Sequence, residues 1–546
     1  MSTVQAPLPQ GAGYGVVVGL GVAFALGMLW VTNALKRAFN EDNKSTETFM
    51  VANRSVGTGL TSAAVIASWL YSTALLAGSL LTYRYGLALG VWWGASASTM
   101  ICLMAFLSIE AKRKAPNAHT MLEIVRVRYG NKVHILWIFL ALVNNALVFS
   151  GVAIYTYFGG LKATFLTDYV HTTIIMIILV WLSIKIIVAK EIGSVGALYD
   201  AVVQAGIEKP VKGNYKGSYL TMRSDECLYF GILHVVSNFG AVIMDTGFWQ
   251  KGFSADVAAA VPGYILGGVA SFSVPWAFGT VAGLAALALE KTPAWPTYPN
   301  TWLVYMIGNF TNPGCIPTLL SLLWSRQTKT AAAVSPILGM ASALSVWLGT
   351  AYAYFGEITI ASTGATMPCL FGCVTAMVVP LPTSVIISLL WPEKFDWNVF
   401  ATNIKRVRTE HVAADADPAE VERKREEEDR ERAAYFTPER VLYMKRMSRW
   451  AAGWAMFTIF GHVLLWPLPM YGAKMTFSKS LFQAWIVISL IWLWFTLVVA
   501  IIYPLYDGGV AQMWTIIQGK TGKKRKGVDS ETSSPPVEEV AEVVKG

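Results

Sequence analysis

Apolar runs of about 20 residues recur along the chain, each long enough as a helix to cross a ~30 Å hydrocarbon layer. Twelve can be marked: Gly15–Leu35, Leu60–Thr82, Leu87–Ile109, Val133–Phe158, Thr172–Ala189, Tyr229–Trp249, Val261–Leu289, Trp302–Trp324, Ala331–Tyr354, Pro368–Trp391, Ala451–Pro469 and Phe482–Tyr503. Gly, Ala and Ser are interspersed through them, which lets helices approach closely in lipid. Trp and Tyr recur at their ends, where interfacial anchors belong. The pattern predicts an all-α polytopic membrane helix bundle of about 12–13 membrane segments.

Composition agrees with that solvent. Of 546 residues, 54% are hydrophobic and only 14% charged, with mean hydropathy +0.48. A soluble domain carries about 25% charged residues. A soluble enzyme, a disordered chain, a disulfide scaffold and a nucleic-acid binder are all excluded. The partner implied is the lipid bilayer, with no nucleic acid, and no oligomeric state is assigned. The five cysteines, Cys102, Cys227, Cys315, Cys369 and Cys373, fall mostly in or beside apolar runs without histidines near them, so no metal site is expected.

The net charge of +9 is concentrated in a few loops. Lys36, Arg37, Lys44 and Arg54 follow the first run. Lys112, Arg113, Lys114, Arg126, Arg128 and Lys132 follow the third. Lys520, Lys523, Lys524, Arg525 and Lys526 lie in the C-terminal tail. Read as solvated cytoplasmic charges, they place the N-terminus outside and the C-terminus inside. That requires an odd number of crossings, and twelve runs conflict with it. The suspect is Val133–Phe158, which carries Asn144 and Asn145 near its centre; it either pairs them with a neighbouring helix or is broken. Four regions follow: a transmembrane core over 1–397, a charged cytoplasmic helical linker over 398–449, two further transmembrane helices over 450–506, and a disordered cytoplasmic tail over 507–546. Glu393–Arg449 holds as many acidic as basic residues. Asp417-Pro418 is expected to open a charged helix within it.

Ionisable residues inside apolar runs mark candidate chemistry. Asp245 is read either as a solute or cation ligand or as an interfacial partner of Lys251. His234 is read as a packing residue. Asp168 and His171, spaced i, i+3 at the mouth of a span, share a face and suit either a proton relay or helix capping. The second run looks broken through Ser68-Trp69-Leu70-Tyr71-Ser72-Thr73, and interrupted helices expose backbone carbonyls that bind ions and polar solutes in transporters. No phosphate loop, catalytic triad, zinc motif or haem motif is visible, so the chain is read as a non-enzyme.

Several stretches carry a family resemblance. Phe49-Met50-Val51-Ala52-Asn53-Arg54-Ser55 resembles the motif before the broken first core helix of sodium:solute symporters. Lys112-Arg113-Lys114-Ala115-Pro116-Asn117-Ala118-His119-Thr120 with Arg128-Tyr129-Gly130, the run Phe158 to Asp168, Gly217 to Ser224, Pro262-Gly263-Tyr264 and Ala286 to Glu290 resemble the urea active transporters of fungi and plants. The resemblance implies a LeuT-type inverted-repeat bundle in the plasma membrane, importing urea or a related solute such as a polyamine with sodium or protons, and using no cofactor. It makes Ser68, Trp69, Tyr71, Thr73, Asn238 and Asp245 substrate-site candidates. It makes Ala63, Ile66, Asp168 and His171 ion-coupling candidates. It also implies residues this chain lacks, between Phe149 and Val152 and after Asn300, where the family carries two further spans. One of those holds the Ser/Thr-rich segment that completes a sodium site. Leu70 and Ala77 stand where the family tends to have Thr and Gln. The alternative expectation is a transport-impaired paralogue or truncated isoform acting as an uncoupled uniporter or sensor.

Overall fold

A computed structural model describes residues 46–70, 72–146, 153–290, 302–404 and 437–511, with isolated positions besides. The run Gly15–Leu35, the junction near Phe149–Val152, the residues before and at Thr301, the helix expected from Asp417 and the distal tail lie outside the described residues.

The described part is helical and contains no named strand, only isolated bridges. Short α1 (Thr46–Val51) leads through a tight turn into α2 (Thr58–Ala67) and α3 (Ser72–Tyr85). Then come α4 (Ala88–Lys114), α5 (Met121–Tyr129), α6 (Asn131–Ala146), α7 (Ala153–Ile187), α8 (Val195–Glu208), α9 (Asp225–Ile243), α10 (Thr246–Ser254), α11 (Val257–Ser271) and α12 (Gly279–Leu289). The second part comprises α13 (Trp302–Leu323), α14 (Lys329–Phe355), α15 (Ile360–Thr363), α16 (Thr366–Val378), α17 (Pro380–Leu390), α18 (Asn398–Asn403), α19 (Pro438–Thr458), α20 (Pro467–Gly472) and α21 (Lys479–Leu497). Among the described residues, eight helical stretches are long and apolar enough to cross a membrane. The chain is a multi-pass, all-α membrane protein.

Helix α7 shows how one sequence serves two solvents. Ile174, Ile177, Ile178, Trp181 and Ile184 are exposed along one face. Met176, Leu179, Val180 and Ser183 are buried on the other. The 3- and 4-residue spacing gives a lipid stripe opposite a packing stripe. Inside the bundle, glycines set the approach of α11. A Cβ on Gly263 would lie 2.8 Å from Thr61, and one on Gly267 2.8 Å from Val65, both on α2. One on Gly268 would lie 2.7 Å from Cys102 of α4. Helix α11 is therefore wedged between α2 and α4 at backbone-contact distance.

Three expectations are corrected. Residues 159–171 are not a loop between spans: α7 runs unbroken from Ala153 to Ile187, so Asp168 and His171 lie within a helix rather than at its mouth. The division at 449/450 falls inside α19, because Pro438–Thr458 is one helix that carries its charged first turns into the apolar run. The basic loops are not merely solvated. Arg128 donates to the carbonyls of Ser321, Trp324 (2.7 Å) and Gln327 (3.2 Å), and Lys114 to that of Leu322 (2.7 Å). These cations close the C-terminal end of α13, where unpaired carbonyls and the helix dipole favour positive charge. Lys112 is buried and donates to Phe253 (2.9 Å) and Ala255 (2.7 Å).

Candidate functional site

Helix α2 stops because its ladder turns in on itself. Ser68 N–H still donates to Ala64 O at 3.2 Å, but Trp69 and Leu70 N–H donate to Ile66 O (3.0 Å) and Ala67 O (3.1 Å), tighter i to i−3 closures. The helix resumes at Ser72. The interruption expected around Ser68–Thr73 is therefore present. Opposite it, α11 ends at Ser271 and Val274–Phe278 winds as a π-helix, which leaves backbone groups out of the regular ladder. Pro275 within it supplies no N–H at all.

A small cleft lies between the two irregular stretches. Its walls are Ile66, Trp69, Leu70, Trp93, Ala97, Ser271, Val274 and Pro275. No charged side chain lines it. The two indole faces, one hydroxyl and an irregular backbone suit a compact neutral solute with both donors and acceptors.

The other side of α2 carries the charge. Lys251, from α10, places its ammonium 2.7 Å from Ala64 O and 2.9 Å from Asp168 Oδ2 of α7, and donates to Ser68 Oγ as well. Its side chain is 8% exposed and that of Asp168 16%, so the pair is largely sealed from water. The ammonium thus donates to a carbonyl and a hydroxyl and forms an ion pair with a carboxylate. Thr172 Oγ1 reaches Ala63 O at 3.5 Å from the same face of α7.

The predicted site residues separate accordingly. Trp69 lines the cleft, and Ile66 is shared between cleft and break. Ser68 faces Lys251 instead. Tyr71 and the side chain of Thr73 lie outside the described residues. Asn238 donates to Ser96 Oγ of α4 at 3.1 Å, a helix-to-helix bond. Asp245 is corrected: it caps the N-terminus of α10, accepting from Gly247 N–H at 2.7 Å, and its expected partner Lys251 pairs with Asp168. The carbonyls of Ala63 and Ile66 each accept a protein donor, from Thr172 Oγ1 and Trp69 N–H, while the carbonyl of Ala64 is the one that faces the Lys251 ammonium. His171 is half-buried beside Asp168. His234 is buried with its ring 4.6 Å from that of Trp93 and 5.0 Å from that of Phe230, a packing residue as expected. The contact of Lys251 with Asp168 and the break of α2 was not anticipated, since the sequence reading paired it with Asp245. Its signal was present, a lysine in an apolar neighbourhood, but its partner lies 83 positions away.

Beyond the ends of α2 and α4 lies a second charged cluster. Arg54 donates to Pro116 O (2.9 Å) and Ala118 O (3.1 Å) and pairs with Glu47 (3.3 Å). His119 Nε2 lies 2.9 Å from Glu47 Oε1, and its Nδ1 3.3 Å from Glu123 Oε2. With a carboxylate at each nitrogen the ring must donate twice, which only the imidazolium does. Burial opposes that charge, but the bonds to Glu123 and Glu47 outweigh it and raise the His119 pKa from 6.5 to about 9. Nearby, Asp507 Oδ2 accepts from Gly59 N–H at 2.8 Å, capping the first turn of α2.

No protein-family model matches the chain. Among curated proteins, it is 34% identical to the probable urea active transporter 1 of Schizosaccharomyces pombe (strain 972), covering 92% of each. It is 30% identical to the urea active transporter of Saccharomyces cerevisiae, over 93% of this chain and 92% of the relative. It is 28% identical to the urea-proton symporter DUR3 of Oryza sativa subsp. japonica, over 93% and 85%. The first two alignments extend over 633 and 679 positions, more than the 546 residues of this chain, so the relatives carry internal residues with no counterpart here. Among solved structures, a Na+-coupled sialic acid symporter in its substrate-bound outward-open state aligns with TM-score 0.40 at 13% identity, over 69% of this chain and 99% of that one.

Proposed function

The chain belongs to the urea active transporter family, and we propose that it imports urea across the plasma membrane by alternating access, driven by a cation gradient. It is a transporter rather than an enzyme. The observation that carries the substrate reading is the uncharged cleft between the break of α2–α3 and the π-helix at Val274–Phe278. Urea is small, planar and neutral, with two amide donor groups and one carbonyl. Indole faces and unladdered backbone groups match those features. A polyamine would need carboxylates to replace its hydration, and none lines the cleft; Asp168, the nearest carboxylate described at the break, is engaged by Lys251. The charge asymmetry of the loops supports an outside N-terminus and a cytoplasmic C-terminus.

Labelled-urea uptake in transporter-null yeast, with surface expression checked in parallel, tests this reading. Concentrative uptake is expected. Equilibration without accumulation would instead establish the uncoupled uniporter, and no uptake above empty vector would refute transport of urea. Competition by excess spermidine stronger than by excess urea would reverse the substrate assignment.

A further inference from the structure

Resting on that transport reading, we infer that Trp492 and Thr496 of α21 are positioning residues for the solute, acting through the backbone of α11 at Val269 and Ala270. Helix α21 contributes no residue to the cleft itself. Three of the eight wall residues, Ser271, Val274 and Pro275, come from the end of α11 and the π-helix after it. This is the stretch whose own ladder is incomplete. Pro275 has no N–H to return to Ser271 O, its α-helical acceptor, or to Ala270 O, its π-helical one. A buried carbonyl short of donors is costly. Part of the repair is local: Ser273 Oγ donates to Ala270 O at 2.9 Å. The rest comes from α21. Thr496 Oγ1 lies 3.0 Å from Ala270 O and 2.7 Å from Ser273 Oγ, and Trp492 Nε1 donates to Val269 O at 3.0 Å. Thr496 Oγ1 is also 3.0 Å from Trp492 O, but a hydroxyl carries one hydrogen. Trp492 O lies inside α21, where the Thr496 N–H is its ladder partner. Ala270 O lacks that kind of partner in Pro275, so it takes the hydroxyl hydrogen.

The same stretch of chain also holds the other wall. Trp492 and Thr496 stand one turn apart, so both reach α11 from one face of α21. Ile488, Ile491, Trp494 and Phe495 are exposed on the lipid side. Beyond α21 the chain continues as a π-helix over Val498–Ile502. There Ile501 O accepts from the Tyr169 hydroxyl of α7 at 3.0 Å. Further on, Asp507 Oδ2 accepts from Gly59 N–H of α2 at 2.8 Å. A Cβ on Gly59 would lie 2.6 Å from Pro504 Cα, so α2 and this stretch touch backbone to backbone. Helix α2 and its break supply Ile66, Trp69 and Leu70 to the cleft. One continuous segment is therefore bonded to α2 and to α11, the two elements whose irregular ends face each other across the cleft. The separation of the two walls is set by a third element that touches both. The bonds to Val269 O and Ala270 O fix the α11 side directly beside the wall residue Ser271.

The test measures labelled-urea uptake by the full chain in transporter-null yeast, with rates normalised to surface protein, and reads KM separately from the maximal rate. Thr496→Val keeps the shape of the side chain and loses the hydroxyl. It should raise KM about tenfold, the factor for one hydrogen bond to a buried carbonyl left unmade, with the maximal rate within about twofold of wild type. Thr496→Ser, which keeps the hydroxyl, should restore the wild-type KM. Trp492→Phe keeps a ring and loses the N–H, and should raise KM by a similar factor. Ser489→Ala is the control: Ser489 is buried on the same face of α21, but its hydroxyl donates to Ile486 O of its own helix at 2.8 Å, so KM should not move. A wild-type KM in Thr496→Val overturns the inference. So does an equal rise in Ser489→Ala, or a lowered maximal rate at unchanged KM, since either marks a packing role alone. If Thr496→Val does not reach the surface, the KM of Trp492→Phe decides. Absent wild-type uptake overturns the transport reading and this inference with it, whereas normal wild-type uptake with unaltered variants overturns this inference only.

Discussion

Protonated His119 is expected to hold the end of the α4–α5 connection against α1, and its removal should be felt only where the ring would be charged. The ring lies between Glu47 and Glu123 with 4% of its side chain exposed. Its pKa rises from 6.5 in the open chain to about 9 in the fold. Because the folded value is the higher one, the stabilisation is complete below pH 6.5 and is lost as pH climbs to 9. At 1.36 kcal/mol per pH unit, that interval corresponds to about 3 kcal/mol. Two charge-assisted hydrogen bonds, at roughly 1.5–3 kcal/mol each before the offsetting desolvation, give the same order. His119→Ala should therefore lower the stability of the detergent-solubilised protein by about 2–3 kcal/mol at pH 6 and by little at pH 9.5. Thermal melts between these pH values, followed by tryptophan fluorescence, give the readout as wild type minus variant. A gap between the two curves that stays constant or widens above pH 8 would refute the assignment of the charged form.

Gly240→Ala should destabilise by about 2–4 kcal/mol, because the new Cβ would sit 2.2 Å from Asn312 Oδ1 and 2.6 Å from its backbone nitrogen; loss of monodisperse protein on size-exclusion chromatography is the check. Asp507→Ala removes the acceptor at Gly59 N–H and should cost about 1 kcal/mol, visible as a small downward shift in melting temperature that Asp507→Asn, which keeps an acceptor oxygen, largely avoids. All five cysteines are fully buried and free, so a maleimide should label none of them in the folded protein and all five after denaturation in SDS, as intact mass would report.

Much of the architecture was readable from periodicity. Ala331–Tyr354 lies within α14, Leu87–Ile109 matches α4 to within one residue at its start, and Phe482–Tyr503 covers α21 and the π-helix Val498–Ile502 that continues it, because a helix that crosses lipid is apolar over most of its length. The break near Ser68 was readable for a local reason, a small and polar run in the middle of a span. What escaped was long-range. Thr167-Asp168-Tyr169-Val170-His171 reads as a loop because a carboxylate inside a helix in lipid is costly; the helix continues because Lys251, far away in the chain, supplies the countercharge. Asp245 was paired with Lys251 by proximity in sequence, but six residues on a helix put the two on different faces. Arg128 and Lys114 looked like solvated loop charge, and only the position of the α13 terminus reveals them as caps.

The turn before α2 has a mechanical consequence. Ala52, Asn53 and Arg54 all have positive φ, from 48° to 54°, a conformation that costs an L-residue roughly 1–2 kcal/mol and asparagine less. Three in succession store roughly 2–5 kcal/mol, comparable to the ~2.3 kcal/mol available when one charge crosses 100 mV. Arg54, bound to Pro116 O, Ala118 O and Glu47, is the latch that keeps the spring wound. Cutting those contacts, as in Arg54→Ala, should therefore let the turn relax toward ordinary backbone and disturb the start of α2, which begins four residues on.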